Sequence, residues 1–349
     1  MNASTVSRRE LLIFCACIFA LLFGVYGYSL TNEFVHWDDG LLIFENPIVQ
    51  EFSFRSIYKA FTSYDPELYI PLTLLSYQID HVIGRLNPFF YHLTNLILHA
   101  FNALSVAWIG FLLSKNKWIA ALSAFLFAVH PLNTEAVVWA SARKDLLSAF
   151  FILPSFAFYL KYSENRSTRW YGASLIGFLL ALLSKATVIF FPLVLILTDL
   201  RNHRRIDRKM IVEKIPFFLL SILLGIIAMF GKEGNATLLI EKILIGSKAA
   251  IFYLTKIIVP YGFSVLYPYT KPIAFSSPDL AIAFIALLIL IVVSIFLWKR
   301  TRERSLHWDF FFCSQRPPSR ISLRDEMFSM MSILHPIAMH TSALLEFSF

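Results

Sequence analysis

Residues 11–30 read LLIFCACIFALLFGVYGYSL, twenty consecutive positions without a charged side chain. A bilayer core about 30 Å thick is crossed by roughly 20 apolar residues rising 1.5 Å each, so this stretch has the length of one membrane span. Arg8 and Arg9 precede it as they would precede a secretion signal, but Tyr26, Tyr28 and Phe34 crowd its end, where cleavage needs small residues. The stretch therefore reads as a retained span whose N-terminal side lies in the cytoplasm.

The remainder of the chain follows the same composition. Of 349 residues, 57% are hydrophobic and only 15% charged, with a mean hydropathy of +0.64, far from a soluble domain of this length. Further apolar runs occupy 92–113, 118–129, 146–160, 171–183, 188–200, 215–230 and 280–298. The expected fold class is an all-α polytopic membrane protein. Several runs are short of a full span, which implies tilt or local thinning. Two of the three cysteines, Cys15 and Cys17, fall inside the first run and provide no disulfide framework.

Basic residues set the expected topology. Lys115 and Lys117, then Lys161, Arg166 and Arg169, then Arg201, Arg204, Arg205, Arg208, Lys209 and Lys214 form three clusters between apolar runs, and all three are placed in the cytoplasm. For the second and third to share a side, residues 171–200 must cross twice, turning near Ser184-Lys185-Ala186. Lys299, Arg300, Arg302 and Arg304 follow the last run and should also be cytoplasmic, so residues 239–260, with Lys242, Lys248 and Lys256 among apolar neighbours, are expected to lie in the outer interface as an amphipathic helix. This inside bias accounts for the net charge of +8, and no stacking platform accompanies it, so nucleic-acid binding is not expected.

That topology leaves two outer loops, about 31–91 and 131–145. The first carries Asp38, Asp39, Glu45, Glu51, Asp65, Glu67 and Asp80, and the second follows His130 with Glu135, Arg143, Lys144 and Asp145. Ionisable residues thus concentrate on one face. Residues 68–83, with Pro71 near their start, suit a second interfacial helix roofing a cavity at the membrane surface.

The residues in these loops carry a resemblance. Phe34, Trp37, Asp38 and Asp39 through Asn46-Pro47, then YIPLTLLSYQID at 69–80, NPFFYHLTNLILH at 87–99 and HPLNTEAVVWASARKD at 130–145 form an ordered series. It resembles the membrane domain of the transmembrane and tetratricopeptide-repeat O-mannosyltransferases and their bacterial relatives, which are GT-C glycosyltransferases. LSK at 183–185, Asp199-Leu200 and PYGFSVLYP at 260–268 agree with it. The resemblance covers roughly residues 10–298, treated as one GT-C-like transmembrane domain.

The resemblance implies transfer of a mannose-like hexose from a polyprenyl-phosphate carrier to a protein or glycan acceptor on the extracytoplasmic face, with an acid of the first outer loop acting on the acceptor. A hydroxyl is a poor nucleophile, and a carboxylate that takes its proton during attack contributes about 100-fold or more. Asp39, beside the glycine, is the first choice for that base, and Asp38 the second. The leaving lipid phosphate is best met by a cation in a water-poor site, and Arg143 and Lys144 fit. If residues 135–145 form one helix, Glu135, Trp139 and Arg143 share a face; Asp145 would then hold Arg143, and His130 would donate to phosphate or sugar. Lys185 is a further phosphate candidate. The spacing of Asp38, Asp39 and His130 lacks a ligand signature, and a divalent metal is left open.

Each of these residues has a plainer reading. Asp38-Asp39-Gly40 also suits a cap or an Asx turn at a membrane exit. Glu135, Arg143 and Asp145 also suit a structural ion-pair network, and Lys185 suits snorkelling. His92 and His99, seven apart on one helical face with Asn95 between, more often bond helix to helix than line a carrier groove.

Two features depart from the family pattern. Ala186 stands where relatives often carry an acid that would pair with Lys185. Residues 299–349 carry RPPSR at 316–320 and no span-length run or repeat period, so they are expected to be an atypical tail, truncated or frameshifted. Asn235-Ala236-Thr237 forms a glycosylation sequon on the outer side. The rival function, a transporter or lipid flippase, would place ionisable residues mid-span and show repeated halves; this chain gathers them in two loops. The compact form favours a bacterial inner membrane over the endoplasmic reticulum membrane of a eukaryote.

Overall fold

A computed structural model describes residues 7–65, 68–202, 207–231, 239–264, 267, 273–274 and 277–312. Glu67, Arg204, Arg205, the sequon at 235–237 and the tail from 313 onward lie outside the described residues. Among the described residues the chain is helical, with no strand. The α-helices are α1 (Arg8–Tyr26), α2 (Pro47–Gln50), α3 (Phe54–Thr62), α4 (Pro71–Gly84), α5 (Pro88–Ser114), α6 (Lys117–Val129), α7 (Thr134–Val138), α8 (Arg143–Asn165), α9 (Thr168–Ser184), α10 (Phe191–Arg201), α11 (Arg208–Phe230), α12 (Leu239–Ile258) and α13 (Pro278–Phe312).

Five stretches are long and apolar enough to cross a membrane: Arg8–Thr31, Pro88–Ser114, Ala140–Asn165, Arg208–Phe230 and Pro278–Phe296. A sixth forms if α6 and the bent segment after it count as one span. The chain is a multi-pass membrane protein. The helix starts are written in the sequence. Ser7 and Glu10 form a capping box at α1, with Ser7 N–H donating to Glu10 Oε2 at 2.8 Å, and Asn87 caps α5 ahead of Pro88.

The chain divides into two compact units, one of Met1–Ala236 with Lys256–Phe263, the other of Thr237–Thr255 with Ser264–Phe349. In the second, Lys248 pairs with Asp279 at 2.6 Å, and α13 runs unbroken past residue 298, where the apolar run ends. In the first, small residues let helices approach closely. A Cβ on Gly177 of α9 would stand 3.0 Å from Ser155 Cβ on α8, and Ser155 Oγ donates to Ser174 O at 2.6 Å.

Residues 171–200, expected to cross twice, fold as two helices joined by a bend, and neither helix is among the five stretches above. α9 stops at Ser184, the chain bends through Lys185 and a 3-10 turn over Ala186–Phe190, and α10 returns so that Arg201 lines the same cavity as Arg166. α9 has 17 residues, roughly 25 Å, and is a short leg. The buried Lys214 of α11 reaches Asp199 of α10 at 2.6 Å, and Tyr159 OH of α8 donates to the same Asp199 oxygen at 2.8 Å. These bonds tie the three helices near their basic ends.

Around the opposite end lie α2, α3 and α4. α4 buries Thr73, Leu74, Tyr77, Gln78 and Asp80 and exposes Ile79, Val82 and Ile83, which leaves an apolar face open beside a polar-lined buried one.

Candidate functional site

The segment before Gly40 folds back on itself, and the two adjacent carboxylates part company. Asp39 is fully buried: Oδ2 accepts Val35 N–H and Oδ1 accepts Ser141 N–H, both at 2.9 Å. It thereby ties the first loop to the turn over Ala140–Ala142 that precedes α8. Asp38 points the other way, with its side chain 50% exposed and Oδ2 3.5 Å from Lys144 Nζ. Of the two candidate bases, Asp39 thus has each oxygen on a main-chain donor, and Asp38 is the one that faces solvent.

Arg143 and Lys144 divide in the same manner. Lys144, 14% exposed, donates to Ser141 O at 3.1 Å and stands 5.9 Å from the centre of the Trp139 ring. Arg143 is fully buried. Nε donates to Asn95 Oδ1 at 2.8 Å, one terminal nitrogen to Tyr91 O at 2.6 Å, and the other to Ser76 O at 3.3 Å while pairing with Asp80. The guanidinium also lies 4.8 Å from the Tyr77 ring centre. Of the two candidate phosphate cations, Arg143 is thus enclosed by protein partners, and Lys144 is the one that keeps some exposure.

The condition of one helix over 135–145 is not met. α7 ends at Val138, Trp139 is extended at φ −89° and ψ 123°, and a 3-10 turn intervenes before α8, so exposed Glu135 and buried Arg143 do not share a face. Asp80, not Asp145, holds Arg143. Asp145 pairs instead with Lys185, which supplies from α8 the acid that Ala186 does not. His130 accepts Leu132 N–H on Nδ1 at 3.2 Å, which leaves Nε2–H to donate to Ile257 O at 3.2 Å; both nitrogens serve the backbone. His99 Nε2 bonds Ala128 O at 3.0 Å, the helix-to-helix reading of that stripe.

The surface thus assembled places Asp38, Lys144, Asp145 and Lys185 at one end of the bundle, with Trp37 beside them, 53% exposed and edge-on to Trp139 at 6.2 Å. Sequence reasoning assigned no role to Asp80 or Trp37. Asp80 was legible as the one acid on the α4 face that also carries Leu74 and Tyr77, a buried charge that demands a partner. Among the described residues no group of three or more His, Cys, Asp or Glu is arranged to hold a metal ion.

The fold and this surface define a multi-pass α-helical membrane protein with paired acids and cations gathered at one end of its bundle. Its sequence is similar to protein O-mannosyl-transferases. Protein O-mannosyl-transferase TMTC2 of Homo sapiens is 39% identical over 113 residues, which cover 32% of this chain and 13% of that protein. TMTC1 of Mus musculus is 35% identical over 157 residues, 40% of this chain and 16% of the relative. TMTC3 of Homo sapiens is 39% identical over 118 residues, 32% and 12%. The chain therefore aligns with less than a fifth of each of these curated relatives. No family model matches, and no solved structure matches.

Proposed function

We propose that this chain carries the membrane core of a GT-C-type glycosyltransferase that moves a mannose-like hexose from a polyprenyl-phosphate carrier to a hydroxyl of a protein or glycan on the extracytoplasmic face. The observation that carries the reading is the exposed Asp38 carboxylate 3.5 Å from Lys144, on a platform fixed from beneath by Asp39 and Arg143. The similarity to protein O-mannosyl-transferases supports the sugar and the acceptor class.

In this reading Asp38 takes the hydroxyl proton as the acceptor oxygen attacks the anomeric carbon. The bond from that carbon to the phosphate oxygen breaks, its electron pair leaves with the lipid phosphate, and Lys144 meets the charge that develops, with Lys185 as the second cation. Positioning and charge stabilisation together carry the step. The membrane is a bacterial plasma membrane, with the endoplasmic reticulum as the eukaryotic counterpart. The test is sugar transfer from radiolabelled polyprenyl-phosphate hexoses in membranes expressing wild type, Asp38→Asn and Asp39→Asn at matched levels. Undiminished transfer by Asp38→Asn would remove Asp38 from the chemistry.

A further inference from the structure

At the basic end of the first unit, far along α8 from Arg143, a cavity of about 380 Å³ opens where α5, α8 and α10 finish. Three cations line it, Lys115, Arg166 and Arg201, against one acid, Glu164, and Leu113, backed by the buried Leu112 and Leu160, forms an apolar wall beside them. We propose that this cavity binds the phosphate of an anionic phospholipid from the leaflet that meets the basic end.

Two of the cations sit in an unusual backbone conformation. Lys115, at φ 53° and ψ 26°, and Arg166, at φ 56° and ψ 24°, are the left-handed caps of α5 and α8, closed by Lys115 N–H to Phe111 O at 2.7 Å and Arg166 N–H to Tyr162 O at 2.8 Å. Glycine is the ordinary residue there, since a Cβ is strained at positive φ. In both helices the sequence spends that conformational advantage on a cation, and both open into one cavity. Attraction to the carbonyl ends of the helices explains a cation near the last turn. It does not require the left-handed position itself, nor the leucine wall.

The cations remain reachable. The Lys115 side chain is 54% exposed and that of Arg166 is 42% exposed, and the Lys115 pair with Glu164 lies near the surface, where a carboxylate exchanges for a phosphate at little cost. Basic recesses between spanning helices are fitted to anionic headgroups, each nearby cation adding to the attraction. Leu113, 38% exposed, favours a lipid over a free anion, because a soluble phosphate makes no use of an apolar wall.

The full chain, purified in detergent, is incubated with phosphatidylglycerol, with phosphatidylcholine of the same acyl chains, or with inorganic phosphate. Lipid retention is read by native mass spectrometry and protection by thermal unfolding. Phosphatidylglycerol is expected to be retained and to raise the midpoint. Lys115→Gly/Arg166→Gly/Arg201→Gln should weaken its retention about a hundredfold. Glycine suits both left-handed caps, so that variant keeps its fold, and Lys115→Arg/Arg166→Lys should keep the lipid. Equal retention of phosphatidylcholine, equal protection by inorganic phosphate, or undiminished phosphatidylglycerol binding by the triple variant would each overturn the proposal.

Discussion

Arg143, at the start of α8, is ion-paired with Asp80 of α4, and both are sealed from solvent. The bond joins the loop region to the spanning bundle. Its remaining donors go to Asn95 and to the main chain at Ser76 and Tyr91, and Thr94 Oγ1 donates to the other Asp80 oxygen at 2.8 Å. The five donors of a planar guanidinium suit this set of acceptors, as an ammonium does not. The same fixed turn presents Lys144, one residue on, to Asp38.

Removing one member of that pair leaves the other charge buried. Arg143→Ala and Asp80→Ala should each cost about 3–5 kcal/mol of stability, and Arg143→Lys should recover only part of it. Thermal unfolding in detergent checks the order. Equal midpoints for wild type and Arg143→Ala would refute the structural role.

The adjacent carboxylates should separate in two assays. Asp38→Asn is expected to leave the unfolding midpoint unchanged and to cut sugar transfer about 100-fold or more. Asp39→Asn keeps one acceptor and loses the charge that holds two main-chain donors, so it should lower stability by about 1–3 kcal/mol. Any activity it loses would follow the fraction folded.

Lys144 and Lys185, both partly exposed, should differ in kind from Arg143. Lys144→Gln is expected to weaken sugar transfer with little change in stability, while breaking the partly exposed Lys185 to Asp145 pair should cost about 1 kcal/mol or less. Steady-state transfer against donor concentration, with unfolding curves alongside, separates these effects.

Asp65 accepts from Asn46 Nδ2 in the first loop, and burial raises its carboxyl above the ordinary range. The folded state then holds that proton more tightly than the unfolded chain, so its contribution to stability is greatest in acid and declines as pH rises above about 4. Asp65→Asn keeps an oxygen for Asn46 and removes the titration. The difference in stability between wild type and variant should therefore shift toward the variant as pH rises, and a difference independent of pH would refute the assignment.

Helix contact through small residues gives a packing test. Gly177→Leu places bulk against Ser155 and the Phe151 carbonyl, 3.0 Å and 3.2 Å from the new Cβ, and should destabilise by about 1–3 kcal/mol or more. The same change at Gly172, where nothing lies within 4 Å, should be close to neutral.

Residues 11–30 sufficed to call for a spanning helix, and the apolar runs after them fixed an all-α membrane protein, because a bilayer leaves a chain few ways to satisfy its backbone. The basic clusters told which helix ends lie together, as Arg166 and Arg201 do in one cavity. The motif series drew attention to two loops as the candidate site and pointed to the relatives. What each charge does was not legible. Asp38 and Asp39, or Arg143 and Lys144, are neighbours with the same chemistry, and a string of letters carries no direction for a side chain. Only the fold, by bringing Asp80 beneath Arg143 and the Ser141 amide against Asp39, decided which charges are consumed in holding the loops and which face outward. The physical reason is desolvation: a buried charge must be matched by partners drawn from distant segments, so its role is set by tertiary contacts, whereas membrane insertion is set by the local run of apolar residues.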